Sequence, residues 1–369
     1  MAPPYRVGVI GRTGRGNYGH GLDTVWRDIP RAQVVAVADD DPAGLRAAQE
    51  RTAAPAAYAD YREMLDRERL DIVAVAPRWI DRHAEMTLAA LEHGCHVYLE
   101  KPFCRSPEEA DAIVRAAEMR HCVLAIAHQT RWSPLLAVVL REVRAGLIGR
   151  VLELRGRGKE DARRGGGEDL WVLGSHILDL MRVFAGDPQS CTASVFQEGR
   201  PVGLADVFDG PEGIGPLAGD QVFATYRFPQ GIVGTFASTR GAAGAESRFG
   251  LQIYGTEGIV EVLTGHLSPA HVLLDPLWSP GRSGKHWVRI TTNGVGRPET
   301  LSDGGLHAGN VLAVNDLIDC IEQPGRQPRC NVRDAAWTVE MIAAVFASHV
   351  AGGPVGFPLP DRRNPLTRF

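Results

Sequence analysis

No run of apolar side chains in these 369 residues approaches the length that crosses a bilayer. Apolar runs such as Ile72 to Ala76 fall far short of the roughly 20 residues a spanning helix needs. Cysteine is scarce and scattered. Cys95, Cys104, Cys122, Cys191, Cys320 and Cys330 form no Cys-x-x-Cys pair, so no zinc or other metal site and no disulfide framework is expected, and each is read as a buried or half-buried thiol. A dominant charge is missing as well. Forty basic residues face 44 acidic ones, and the net charge of −4 gives no electrostatic reason to expect nucleic acid or an anionic membrane as a partner. The opening residues Met1 to Arg6 carry no apolar signal core and run almost at once into a strand, the expectation for a cytoplasmic protein. What remains is ordinary for a soluble globular chain: 44% hydrophobic and 23% charged residues, with length enough for two cores.

The first third alternates strand and helix signals. Arg6 to Ile10, Ala32 to Ala38, Leu70 to Ala76, Val97 to Leu99 and Val123 to Ala127 are short, continuously apolar runs. Between them lie predicted helices at Leu22 to Asp28, Ala43 to Thr52 and Ala84 to Glu92, and one that starts at Ser106-Pro107-Glu108-Glu109, with serine as cap and proline at the first helical position. Repeated β-α-β with unbroken apolar strands predicts a parallel sheet covered on both faces. After about residue 130 the texture changes. Pro134 to Ala145 is helical and Val151 to Arg157 alternates as a strand. From Gln221 to Val262 strands are separated by tight turns, which implies an antiparallel sheet. Two helices, near 309–322 and 333–350, close the chain. No internal repeat is present. The fold class is α/β, with a dinucleotide-binding domain over 1–129 and an α+β domain over 130–369.

Gly11-Arg12-Thr13-Gly14-Arg15-Gly16 follows the first strand and precedes the predicted helix at 22–28, the context in which a glycine fingerprint carries weight. Gly11 permits the tight turn and Gly16 a close helix–strand approach. Backbone N–H groups at a positive helix end would face a pyrophosphate. Thr13 stands where the middle glycine is usual, unless Gly14 takes that role. Asp39, at the end of the second strand, is placed to accept from adenosine ribose hydroxyls and to repel a 2′-phosphate, which favours NAD. Asp40, Arg12 and Arg15 leave NADP open, since an arginine can receive that phosphate. The alternatives are a plain glycine turn and a helix-capping aspartate.

His96-Val97-Tyr98-Leu99-Glu100-Lys101-Pro102 delivers an acid, a base and a proline at a strand end, where ligands collect in a parallel α/β sheet. A lysine beside a nicotinamide can bind or deprotonate a substrate hydroxyl, its pKa lowered by the second cation. His176 suits proton exchange near neutrality, and Asp179, three residues on, shares its helix face. Glu100 is a salt-bridge acid for Lys101, and Pro102 fixes the chain direction.

These motifs, taken with Pro77 and His83 after the third strand of the series, Arg131, Gly146-x-x-Gly149, Gly174-x-His176-x-x-Asp179, Tyr254-Gly255-Thr256-x-Gly258 and Phe357-Pro358-Leu359, resemble the glucose–fructose oxidoreductase, inositol dehydrogenase and MocA (Gfo/Idh/MocA) family over nearly the whole chain. The resemblance implies a Rossmann domain, a second α/β domain with a large, mostly antiparallel sheet whose exposed face forms a dimer or tetramer interface, and sugar or polyol substrates. It implies Lys101, His176 and Asp179 as catalytic residues. Implied or candidate cofactor contacts are Gly11, Arg12, Thr13, Gly14, Gly16, Asp39, Pro77, His83, Glu100, Lys101 and Gln129. Candidate substrate contacts are Lys101, Arg131, Lys159, Asp169, Trp171, His176 and Asp179. One departure stands out: many relatives carry an acid four residues before the histidine, where this chain has Val172. Asp169, seven residues upstream, is about two helical turns or roughly 10 Å away if the helix extends that far. The loop 158–169, with Lys159, Glu168 and Asp169, is either a substrate cover or a solvated connection. The expected activity is hydride transfer between NAD(P) and a secondary alcohol. The alternatives are an NAD-retaining glycoside hydrolase or lyase and a non-catalytic regulator.

Overall fold

A computed structural model describes residues 3–244 and 247–368. The chain divides into two compact units. The first comprises Met1–Gln129, Pro211–Gly215 and Leu306–Val339, and the second Thr130–Gly210, Pro216–Gly305 and Glu340–Phe369.

In the first unit, strands β1 (Tyr5–Ile10), β2 (Ala32–Ala38), β3 (Ala56–Tyr58), β4 (Ile72–Val75), β5 (His96–Leu99) and β6 (Leu124–Ile126) form one sheet in the order β3-β2-β1-β4-β5-β6, every pair parallel. All four residues of β4 are buried, as a strand covered on both faces requires. Helices α1 (Pro42–Thr52), α2 (Tyr61–Arg67), α3 (His83–Glu92) and α4 (Pro107–Arg120) make the crossovers. Local chemistry sets their starts. Asp41 caps α1 by accepting from Gly44 N at 2.6 Å, with Pro42 in the first turn. Ser106 caps α4 by accepting from Glu109 N at 3.2 Å. Ile10 pairs with Ala38 and Val75, Val75 with Leu99, and Leu99 with Ile126. The residues that leave these five strands therefore emerge side by side at one edge, the carboxyl edge where such sheets place ligands.

The predicted helix at Leu22–Asp28 does not form as such. Turns run from Thr13 to Thr24, and only a single 3-10 turn, Val25–Asp28, follows. Gly14, Gly16, Gly19 and Gly21 have φ of +78°, +91°, +55° and +86°, and Asn17 has φ +54°. A right-handed helix cannot pass through left-handed residues at that density. The positive helix end expected to face a pyrophosphate is thus replaced by a glycine-threaded coil.

The second unit begins with α5 (Pro134–Arg144), capped by Ser133, and β7 (Val151–Arg157). Its sheet has eleven strands. In spatial order these include Gly294–Val295, Val288–Thr291, Ala270–Leu273, Gly258–Val262, Gly250–Gly255, β7, Val233–Thr239, Gln221–Arg227, Ser190–Gln197 and Val355–Gly356. The pair β7 and Val233–Thr239 is parallel, and its neighbours are antiparallel. Gln221–Arg227 alternates buried and exposed residues, so this sheet packs one face and leaves the other to solvent. Helix Ser175–Ala185 lies on the packed face against β7, Val233–Thr239 and Gly250–Gly255.

Candidate functional site

Glu100 and Lys101 leave β5 at the carboxyl edge and are both buried, at 0% and 6% exposure. The peptide bond between Lys101 and Pro102 is cis. Glu100 Oε1 lies 2.9 Å from His20 Nδ1. Burial opposes ionisation of Glu100, but the hydrogen bond and charge of His20, with the charges of Lys101 and His83, outweigh it and hold the carboxyl below its ordinary range. His83, the first residue of α3, is wholly buried between two backbone carbonyls, Nδ1 at 2.8 Å from Pro102 O and Nε2 at 2.7 Å from Pro77 O. It ties the chain leaving β4 to the chain carrying Lys101. Gln129, past the end of β6, gives its amide to Asn310 Oδ1 at 3.0 Å. Asn310 also accepts from the Tyr98 hydroxyl at 2.7 Å and donates to His20 O at 2.9 Å. Two hydrogen-bonded groups thus flank Lys101, one through Glu100, His20 and Asn310 and the other through His83. Of the residues expected at the cofactor, His83 ties Pro77 to the lysine turn, and Gln129 bonds Asn310.

The glycine turn closes on itself through Arg12 N to Asn17 O (3.1 Å) and Asn17 N to Arg12 O (2.8 Å). Thr13 does not crowd the turn's open face. Its hydroxyl donates to Asp39 Oδ2 at 2.8 Å and its N–H is 3.1 Å from both carboxylate oxygens. Asp39 also accepts from Asp41 N at 3.0 Å and is 2% exposed, so it anchors the turn. Gly14 takes the open position, with nothing within 4 Å of where a Cβ would stand. At Gly16 a Cβ would lie 2.4 Å from the backbone nitrogens of Arg78 and Trp79, so the close approach expected there is to the segment after β4 and not to a helix. A cavity of about 270 Å³ opens beside Gly11 and Arg12 and reaches Asp39, Asp40, Tyr61 and Met86. Arg12 Nε is buried with no hydrogen-bond partner among the described residues, a donor waiting for a ligand acceptor. Open Gly14, this orphan donor and a cavity at the ends of β1 and β2 fit the adenosine and phosphate half of a dinucleotide.

In the second unit, Arg131 Nε donates to Asp179 Oδ2 at 2.8 Å, and the two side chains are 13% and 1% exposed. Asp179 sits one turn after half-buried His176 on helix Ser175–Ala185. This helix continues back without a break through a π turn, Leu170–Gly174, to Gly167–Asp169. A π turn of this kind often marks a functional site. Val172 lies in that turn and is buried. Asp169 is aimed elsewhere than at a ligand through one oxygen, since Oδ2 accepts from Ser238 Oγ at 2.6 Å and Glu160 N at 3.1 Å. Burial pushes its carboxyl above the ordinary range, against those two donors and the Lys159 amide. Asp169 Oδ1, Trp171 Nε1 and Ser175 Oγ are buried with no hydrogen-bond partner among the described residues. Lys159, by contrast, is half exposed and pairs with Asp161 at 3.6 Å. The loop 158–169 is pinned, not solvated throughout: buried Glu160 accepts from Arg157 Nη2 at 2.5 Å and Thr239 N at 2.9 Å.

Sequence reasoning missed His20 and Asn310. Each lies far along the chain from Glu100 and Gln129, and neither sits in a local pattern that announces a partner. It also missed Tyr61 and Arg62, because α2 was not anticipated, and Arg82 and Glu85, because nothing local shows that the start of α3 meets α2 beside the cavity.

Residues 5–128 match the model of an oxidoreductase family with an NAD-binding Rossmann fold, Gfo/Idh/MocA, and residues 152–357 match that family's C-terminal α/β domain. Among named relatives, levoglucosan dehydrogenase of Pseudarthrobacter phenanthrenivorans is 28% identical over 256 residues, 63% of this chain and 65% of that protein. D-apiose dehydrogenase of Paraburkholderia graminis is 31% identical over 191 residues, 49% and 51% of the two chains. The matched stretch thus spans about half to two thirds of the length of these relatives. A solved structure of levoglucosan dehydrogenase with NADH and levoglucosan superposes with a TM-score of 0.75 at 22% identity, over 96% of this chain and 100% of that one, and has the same fold.

Proposed function

Since the chain belongs to the Gfo/Idh/MocA oxidoreductase family, we propose that it transfers a hydride between NAD and a secondary alcohol of a sugar, polyol or glycoside. The observation that carries this reading is the buried Lys101, presented at the sheet edge between two hydrogen-bonded groups, in the unit that offers the adenosine cavity. Three of the chain's 40 basic residues are lysine (Lys101, Lys159 and Lys285) and the rest are arginine. Arginine stays protonated at any working pH and cannot take a hydroxyl proton, whereas lysine can. The residue type at 101 is thus the one that proton transfer requires.

Bound NAD supplies the hydride acceptor. Lys101 binds the substrate hydroxyl and exchanges its proton. In the second unit, His176 can exchange a proton, and Asp179, one turn on in the same helix and paired with Arg131, can accept from a hydroxyl. The buried unsatisfied atoms at Asp169, Trp171 and Ser175 suit a ligand rich in both donors and acceptors. The levoglucosan and apiose dehydrogenases among the relatives point to the same substrate class. The solvent-facing side of the large sheet, with Thr192, Ser194, Phe223 and Thr225, supports a homo-oligomer. No helix among the described residues is long and apolar enough to cross a membrane.

A panel of anhydrosugars, pentoses, inositols and glycosides, followed for NADH absorbance and for product release together, tests the assignment. NADH formed in step with substrate loss supports it. Glycoside cleavage without net NADH would replace it with the NAD-retaining hydrolase.

A further inference from the structure

The adenosine cavity is ringed by three guanidinium groups, Arg12, Arg62 and Arg82. A 2′-phosphate carries close to two negative charges at neutral pH, and guanidinium forks are its natural receptors. By residue type alone the cavity resembles an NADP site. The pairing of those arginines reverses that impression.

Arg12 Nη1 donates to both oxygens of Asp81, at 2.9 Å each. Arg62 and Arg82 converge on one carboxylate. Arg82 Nε and Nη2 donate to Glu85 Oε2 and Oε1 at 2.8 and 2.7 Å, and Arg62 Nη2 donates to Oε1 at 2.5 Å. The Tyr61 ring faces both guanidinium carbons, 4.8 and 5.5 Å from its centroid, and its hydroxyl donates to Glu85 Oε1 at 2.8 Å. Hydrogen bonding to Arg82 holds the Glu85 carboxyl far below its ordinary range, so it remains charged. The same cavity is lined by three carboxylates, Asp39, Asp40 and Asp60. Arginine and lining acid cancel in number, and Asp81 and Glu85 tip the surroundings to net negative. An entering phosphate dianion would have to win a guanidinium away from an acid while sitting among three more. A ribose hydroxyl meets no such penalty.

We propose that Asp81 and Glu85 are specificity-determining residues that close this cavity to NADP, by neutralising the arginines that would otherwise recruit the 2′-phosphate. The inference rests on the NAD reading above and extends it to residues that do not line the cavity.

Isothermal titration calorimetry of the full chain with NAD⁺ and with NADP⁺ tests it without reference to turnover. The wild type is expected to bind NAD⁺ at least tenfold more tightly. Asp81→Asn and Glu85→Gln should each narrow that ratio at least fivefold, through tighter NADP⁺ binding, with NAD⁺ affinity held within threefold. Should either variant fail to fold, Arg62→Ala with Arg82→Ala gives a second reading. Wild-type NADP⁺ affinity should not fall in it, because those guanidiniums are already engaged. Equal affinities in the wild type, an unchanged ratio in both acid variants, or weakened NADP⁺ binding in the arginine pair would overturn the proposal. A wild type that binds neither nucleotide would instead remove the NAD reading on which it stands.

Discussion

His83 Nδ1 lies 2.8 Å from the carbonyl oxygen of Pro102, and the other nitrogen of the ring lies 2.7 Å from that of Pro77. A backbone carbonyl can only accept, so the ring donates to both when both nitrogens carry hydrogen. A single side chain thereby fixes the backbone next to Lys101 from below. His83→Ala takes from the Pro77 and Pro102 carbonyls the N–H donor that the ring supplies. The expected cost is about 1–3 kcal/mol for each unsatisfied group. Urea unfolding should show the loss, and kcat should fall while the KM for NAD changes little. A variant with wild-type stability and kcat would show that the clamp holds nothing.

Lys101→Ala should lower turnover by at least about 10²-fold, as expected for a lost general acid–base group. NAD⁺ affinity by calorimetry should stay within threefold. Lys101→Arg keeps the charge but cannot release the proton, so it should be equally slow. Activity near wild type in either variant would exclude the lysine from the chemistry.

Gly14 and Gly16 separate backbone freedom from close packing. Gly14→Ala introduces strain from φ +78° but no collision, an expected cost of about 1–2 kcal/mol. Gly16→Ala adds a methyl 2.4 Å from two backbone nitrogens, so the turn must move. The second variant should lose both NAD⁺ binding and several degrees of melting temperature, the first far less of each. Equal effects would contradict the close contact with Arg78 and Trp79.

The buried pair Arg131–Asp179 should behave as a unit. Asp179→Ala takes from Arg131 the carboxylate to which its Nε donates, and breaking a buried pair of this kind costs about 3–5 kcal/mol. Arg131→Met with Asp179→Leu should recover most of that stability without recovering activity. Additive losses in the double variant, measured by urea unfolding, would show that the two side chains do not couple.

Glu100 sets a pH dependence. Its carboxyl is held below the ordinary range in the folded chain, so the unfolded chain binds its proton first as pH falls. The stability it contributes is present above about pH 4.3, the ordinary glutamate value, and is lost as pH falls through the folded value. Glu100→Gln should therefore be less stable than wild type at pH 7, with the gap closing at low pH. A gap that widens on acidification would mean that the sign is wrong.

Five of the six strands of the first unit, the cap Ser106, and the placement of Gly11, Asp39 and Lys101 at strand ends were legible because they depend on neighbours in sequence: apolar runs, a proline in a first turn, an acid after a strand; the short β3, with only three residues, carried no such run. The same local rules misjudged residues 22–28. There apolar spacing suggested a helix, but left-handed glycines upstream had already turned the chain away. Contacts between distant residues decided the rest. Nothing near Glu100 names His20, nothing near Gln129 names Asn310, and nothing at Asp179 says that its oxygen will meet Arg131. Nor does the count of arginines reveal that Arg12, Arg62 and Arg82 arrive already neutralised. Sequence determines which groups stand at the sheet edge, because backbone geometry is local. Tertiary structure determines which charges remain available there, because Coulomb interactions and hydrogen bonds depend on distance in space and not along the chain.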